Sequence, residues 1–507
     1  MPTAIQPQII EAPGRGVVTH IDPRHVPEQS WSKARNVRFP TGATRVQKTD
    51  GFTRVDTTTP AEPIQALWWY VEPLGSRAPT LVRIGTSGIW EGLGSARQHL
   101  YTFPIPLTAN DVTVTDQYEE KLIIADGKQV TVWTGTGTAR PITEGAPTAK
   151  LVEIHKDHIL LGNHTAPIAQ PWSVAYSVFG VSTEGTLTVP AKPEDFTGEG
   201  SGQTDFLDDS TPITCLKAMG DHCVVHKPNR LYRMTYVGPP DNYIVEGVAA
   251  DEGSISARGA ISVGSFQYFI GRTNVYRLGS FTEPIGDAIW PEIAAAIDWP
   301  RAHLTYVYRR LEWEEMCWKI PTRGASQPNL TAAFNYRDQT WTLTDHDPGT
   351  CFTEVPSDAL PSTAHDDAAS PVSPPPVRGC FGQVNGNVQV YGGTNADGVA
   401  VHAWLESRHF QAGLTPVKIL AVPVFATGQS TLVVRLRAAM DARTPLPPWG
   451  PQTAANYHIM NFSQNRPWID VRAYGRLWQI RLETGNLGDD WQITAYGVAI
   501  IPGAYAR

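Results

Sequence analysis

Basic charge, cysteine pairs and long apolar runs are all scarce in this sequence, and each scarcity excludes a class of protein. The 507 residues hold 41 Lys and Arg against 49 Asp and Glu, a net charge of −8. A cationic nucleic-acid binder needs the opposite balance, because its affinity comes from counterions that Lys and Arg displace. Charged residues make up only 18% of the chain, below the roughly 25% of an average protein. The five cysteines (Cys215, Cys223, Cys317, Cys351 and Cys380) are far apart with no C-x-x-C pair, so the common zinc and redox motifs are excluded. They read as reduced, buried, small apolar residues of a protein made in a reducing cytoplasm. No window approaches ~18 uninterrupted apolar residues. The opening MPTAIQPQIIEAPGRG lacks the charged head and apolar stretch of a secretion signal. A soluble chain without a membrane-spanning segment is expected.

Catalytic fingerprints are missing too. There is no P-loop, no G-x-G-x-x-G opening a helix, no G-x-S-x-G and no H-E-x-x-H. The 14 histidines are scattered. His222 and His226 with Cys223 could form a zinc set, but ordinary surface or satisfied interior histidines explain them equally. The adjacent carboxylates Glu119/Glu120, Asp208/Asp209, Glu314/Glu315, Asp366/Asp367 and Asp489/Asp490 all fall at turns, where solvated charge is the default. The expectation is no catalytic residues, no metal, no cofactor and no enzyme activity.

Turn formers and aromatics, by contrast, are plentiful: 44 Gly, 42 Pro, 16 Trp, 17 Tyr and 15 Phe. Short β-runs between turns dominate from about 63 to 395, and one motif recurs about seven times. In each copy an inner apolar strand meets a tight turn, then an aromatic-bearing strand. DVTVTDQYEEKLIIADGKQVTVWTG (111–135) is the clearest copy, with Asp126–Gly127 predicting a type I′ hairpin. A unit this small cannot bury both faces of its sheet, so copies must stack on one another. Radial stacking gives an all-β fold, a β-propeller of about six to eight blades over 61–398, and an irregular pair of β-sandwiches is the rival. The one helical pattern is 287–298, with Ile289, Ile293 and Ile297 on one face. Residues 1–60 read as an N-terminal extended arm and docking segment, too poor in apolar residues to order alone. The Pro-rich stretch 355–378 reads as an exposed loop. Longer alternating strands over 399–507 predict a C-terminal β-sandwich of jelly-roll type.

The order of these segments resembles a known family. IDPRHVPEQSWSKARNVRFPTGATRVQKTDGF (21–52), HKDHILLGN (155–163), PITCLKAMGDHCVVHKPNRLYRMTYVGPP (212–240), ADEGSISARGAISVGSFQYFIGRTNVYRLG (250–279) and FNYRDQTWTL (334–343) look like segments of the tail nozzle, or packaged-DNA-stabilisation, proteins of short-tailed phages. The resemblance implies a structural virion protein in the phage tail, a hub subunit forming a homo-oligomeric ring of six copies. That ring would sit below the portal and the adaptor (the head-to-tail connector), retain the packaged genome and let double-stranded DNA pass at ejection. Tail fibre or needle proteins would be further partners. Trp31, Arg35, Asn36, Arg38 and Phe39 become the arm's docking residues, and Trp449, Trp468, Trp478 and Trp491 the contact anchors of the C-terminal region. The alternative is a carbohydrate- or receptor-binding tail protein, with a propeller glycoside hydrolase behind it.

Overall fold

The computed structural model describes residues 6–501 apart from 43, 57–61, 74, 76, 95–96, 180–193, 249–250, 347–348, 361–376, 413–414, 430, 442, 450–457, 463–466, 485 and 487. Most of the Pro-rich stretch 355–378 therefore lies outside the described residues. Among those described the fold is all-β, with many small antiparallel sheets and one short α-helix at Trp290–Ala296.

Seven sheets follow one another along the chain. Sheet I is Ala66–Tyr70, Thr80–Ile84, Gly88–Glu91 and Gln98–Thr102; sheet II is Val114–Tyr118, Lys121–Ala125, Val130–Trp133 and Arg140–Pro141. Sheet III is Thr148–His155, His158–Ala166, Gln170–Tyr176 and Gly202–Asp205; sheet IV is Cys215–Met219, His222–Lys227, Arg230–Gly238 and Asn242–Val248. Sheet V is Ala260–Val263, Phe266–Ile270, Val275–Leu278 and Thr282–Pro284; sheet VI is Tyr306–Arg310, Glu315–Ile320, Leu330–Asn335 and Thr340–Thr344. Sheet VII begins with Cys351–Pro356, Val377–Gly382 and Val388–Tyr391, but its fourth strand is Phe52–Arg54, from the segment read as arm. Val390 lies opposite Thr53 in this antiparallel pair.

The recurring motif reflects local chemistry. In sheet II the apolar runs Lys121–Ala125 and Val130–Trp133 pair with Leu122 opposite Trp133. Asp126 Oδ1 accepts the N–H groups of Lys128 and Gln129, each at 2.7 Å, and Gly127 takes φ 79°. Asp126 itself keeps a negative φ, so the Asp-Gly step forms an Asx turn in a longer loop, not the predicted type I′ hairpin.

Hydrogen bonds cross every junction between consecutive sheets. Tyr70 donates to the Glu120 carbonyl, Ile154 N–H to Asp116, and Lys217 to Glu153. His226 meets Gln267, Trp318 donates to the Gly259 carbonyl, and Tyr306 to the Gly349 carbonyl. The series returns to its start: Trp69 N–H donates to Thr353, which joins sheet VII to sheet I.

The remaining two sheets form the C-terminal region and take in the arm. One orders Val37–Arg38, Val46–Lys48, Asp490–Ile501, Val417–Gln429 and Trp468–Gly475, with Gln6–Glu11 also pairing Asp490–Ile501. The other orders Lys33–Arg35, Trp404–Glu406, Leu477–Thr484, Thr431–Ala439 and His458–Asn461, with Phe410–Gln411 also on Leu477–Thr484. The run 468–484, continuous in its alternation, is thus two strands: at Arg476 the chain passes from one sheet to the other. A single hydrophobic core joins both sheets to sheets V and VI, containing Trp31, Val37, Phe39, Trp341, Trp478 and Tyr496. The helix is shorter than its sequence pattern predicts, yet Ile289, Ile293 and Ile297 are all fully buried in that core.

The passage from arm to closing strand allows no side chain at Gly51. A Cβ there would come within 1.9 Å of the Asn395 carbonyl oxygen, and Gly51 N–H already donates to the Gly393 carbonyl at 2.8 Å. Both obstacles are backbone, so Gly51→Ala should destabilise the fold by ~1–3 kcal/mol. Equal urea midpoints for variant and wild type would contradict this.

Candidate functional site

The arm residues singled out in the sequence all dock onto the same chain. Trp31 is fully buried, stacks on Tyr496 with ring centroids 4.7 Å apart, and donates its indole N–H to the Pro13 carbonyl at 2.8 Å. Arg35 pairs with Glu292 on the helix. Asn36 takes φ 55°, a left-handed conformation that Asn tolerates. Its Nδ2 donates to Asp345 at 2.7 Å and to the His402 carbonyl at 2.9 Å, while its Oδ1 accepts the Asp345 N–H. Arg38 lies over the Trp313 ring at 3.9 Å, and Phe39 is buried in the shared core. The arm strand in sheet VII is Phe52–Arg54, followed in the sheet by Asn395–Ala396 and Val399–Ala400, and alternation in GFTRV is its one signal in the sequence.

The four C-terminal tryptophans divide in two. Trp478 and Trp491 are buried, Trp478 stacking on Phe410 at 6.0 Å. Trp449 donates to Glu406 at 2.7 Å and lies beneath Arg437, 4.3 Å from the ring centre. Trp468 is 38% exposed. The paired carboxylates mostly do structural work. Asp209 holds the buried Lys227 at 2.6 Å, Glu315 faces the buried Arg310 at 3.5 Å, and Asp489 accepts from Thr431. Asp366 and Asp367 lie outside the described residues. His222 bonds to Thr235 and His226 to Gln267, so the two do not converge. Among the described residues no group of three or more His, Cys, Asp and Glu is placed to hold a metal ion. All five cysteines are free and buried, and burial pushes the Cys215 and Cys317 thiols up to about 12.

Charged and polar side chains gather, among the described residues, in an inner cavity of about 240 Å³. The initial segment of each of the seven sheets contributes to its wall, through Trp68, Thr115, Glu153, Lys217, Ile261, Val307 and Thr353. Its charges were overlooked in the sequence because they sit singly inside apolar inner runs such as KLVEIH and CLKAM. Glu153 Oε2 accepts from Lys217 Nζ at 2.7 Å and Oε1 from Ala218 N–H at 2.8 Å. Burial pushes the Glu153 carboxyl up, with Lys217 pulling it back. Asp116 is likewise raised by burial, although it accepts the Ile154 and Gln117 N–H groups. Burial works against the Lys217 ammonium, but Glu153 and Asp116 outweigh it, so Lys217 stays protonated above its ordinary range. Arg258 enters the same cavity and reaches the Gln65 carbonyl at 2.7 Å.

No family model matches this chain, and no curated protein does. Among solved structures it is similar to PorZ, a surface component of the type-IX secretion system of Porphyromonas gingivalis, with TM-score 0.36 and 7% identity over 83% of this chain and 46% of PorZ. It is also similar to the extracellular domain of the hybrid two-component system BT4673 of B. thetaiotaomicron, with TM-score 0.40 and 10% identity over 83% of this chain and 53% of that one. Hsv2 of Kluyveromyces lactis matches 56% of this chain over 97% of its own length, with TM-score 0.30 and 9% identity. The chain therefore spans about half the length of the first two. Among the described residues no helix is long and apolar enough to cross a membrane.

Proposed function

We propose that this chain is a structural, non-enzymatic subunit of a short-tailed phage tail, a nozzle or hub protein that assembles as a ring below portal and adaptor. In this reading sheets I–VII are the blades of a seven-bladed β-propeller, and Phe52–Arg54 closes it by completing the last blade from the start of the chain. The observation that carries the scaffold reading is the arm. Its strands join sheet VII and extend both C-terminal sheets, which ties the first residues to the repeated middle and to the C-terminal region. The phage assignment rests on the order of segments in the sequence. A net charge of −8 suits a DNA conduit, since few Lys and Arg in a lumen means few counterion-releasing phosphate contacts.

Negative-stain microscopy and native mass determination test the ring. The purified protein, alone or mixed with portal–adaptor complexes, should form rings of uniform diameter that cap the portal. A monomer that ignores the portal and binds host glycans would overturn the reading in favour of receptor recognition.

A further inference from the structure

The inner cavity holds a cation that its surroundings leave unneutralised. Three buried arginines each face a carboxylate, Arg83 meeting Asp56 at 3.1 Å, Arg310 meeting Glu315 at 3.5 Å and Arg435 meeting Glu483 at 3.5 Å, whereas Arg258 is partly buried. Arg258 has no such partner. Its Nη1 donates to the Gln65 carbonyl, its guanidinium carbon lies 5.4 Å from the centre of the Tyr306 ring, and its Nε is buried without a hydrogen bond. Among the described residues no carboxylate oxygen comes within ion-pair distance of it. Glu153 on the cavity wall is committed to Lys217 and the Ala218 N–H, and the nearby Asp116 to the Ile154 and Gln117 N–H groups.

Buried charges in proteins are paired, and the planar guanidinium fork matches a carboxylate or phosphate group in two parallel hydrogen bonds. We propose that the inner cavity is an anion site in which Arg258 holds the oxyanion group of a small ligand. Lys217 also lines the wall, but Glu153 neutralises it at 2.7 Å, so Arg258 is the cation left to meet the ligand. A volume of about 240 Å³ admits a small acid or inorganic phosphate and falls below the roughly 300–1,000 Å³ typical of drug-sized ligands. The site is independent of the ring reading, because nothing in it depends on a second copy of the chain.

Calorimetric titration of the full chain with inorganic phosphate and, separately, with succinate, at ionic strength held constant by chloride, tests the proposal. Saturable binding of at least one of them, near one site per chain, is expected together with a raised melting temperature. Binding by phosphate alone or by succinate alone assigns the oxyanion class. Arg258→Met should melt no lower than wild type in chloride, since it removes a partly buried charge that no carboxylate neutralises, and should lose at least tenfold in affinity. Arg258→Lys keeps the charge without the fork and should lose severalfold, so it reports on the site even where the Met variant fails to fold. No saturable binding to wild type, or undiminished affinity in a folded Arg258 variant, overturns the proposal.

Discussion

A chain beginning at residue 55 should give no cooperatively folded protein. Its sheet VII would end at Val388–Tyr391, leaving unpaired the backbone groups that Phe52–Arg54 engages; such an open edge invites pairing with other chains. The C-terminal sheets would lose Gln6–Glu11, Lys33–Arg35, Val37–Arg38 and Val46–Lys48. The core shared with sheets V and VI would lose Trp31, Val37, Phe39 and Val46, all buried. Truncating one buried Trp or Phe to Ala costs ~3–5 kcal/mol, against a total stability of roughly 5–15 kcal/mol. Five strands and several such side chains exceed that margin together. Expression, thermal melting by circular dichroism and limited proteolysis of the truncated chain check this, and Trp31→Ala supplies a graded version, with an expected loss of ~3–5 kcal/mol. A sharp melting transition in the truncated chain, near that of wild type, would show that the arm is an accessory and not a structural member.

The contrast between the arm and the seven sheets shows what kind of information a sequence carries. The sheets were legible because each is built from neighbours in the chain. The alternation in QVTVW and the turn chemistry at Asp126–Gly127 are local signals, and the seven copies of the motif correspond to seven sheets. The arm's partners are remote: Asn36 bonds to residues 345 and 402, and Trp31 stacks on Tyr496. Nothing near residues 31–39 encodes those contacts, so a segment with few apolar residues reads as unable to order itself, although it is ordered by surfaces built hundreds of residues later. Similarly, 468–484 alternates without a break because both halves bury one face in the same core, and only the long-range pairing shows that they belong to different sheets. The cavity charges were hidden for a third reason. Glu153 and Lys217 look like isolated polar interruptions of apolar strands until stacking sets one sheet against the next and brings their side chains within 2.7 Å.

Stability should also depend on pH through His226, and the sign follows from its burial. The ring is fully buried, with Nε2 2.7 Å from Gln267 Oε1 and Nδ1 accepting the Ser254 N–H at 3.2 Å. Burial disfavours the cation, and a proton added at Nδ1 would point at that N–H, so the imidazole is pushed down to about 4 although Gln267 favours the charged form. In the unfolded chain it titrates near 6.5. Between those values the unfolded state binds the extra proton, so His226 contributes its full stability above pH ~6.5 and loses it progressively as pH falls toward 4. The loss is on the order of 3 kcal/mol, from roughly 1.4 kcal/mol per pH unit. Glu153 and Asp116, whose folded carboxyls are raised by burial, act with the opposite sign and gain stability as pH falls. The whole-protein curve therefore mixes both, and only a difference isolates the imidazole. His226→Gln keeps an N–H donor for Gln267 and removes the titration. In urea denaturation the advantage of wild type over this variant at pH 7 should shrink by about 2–3 kcal/mol at pH 4.5, whereas a gap that stays constant between the two pH values would mean that His226 takes up its proton as readily folded as unfolded.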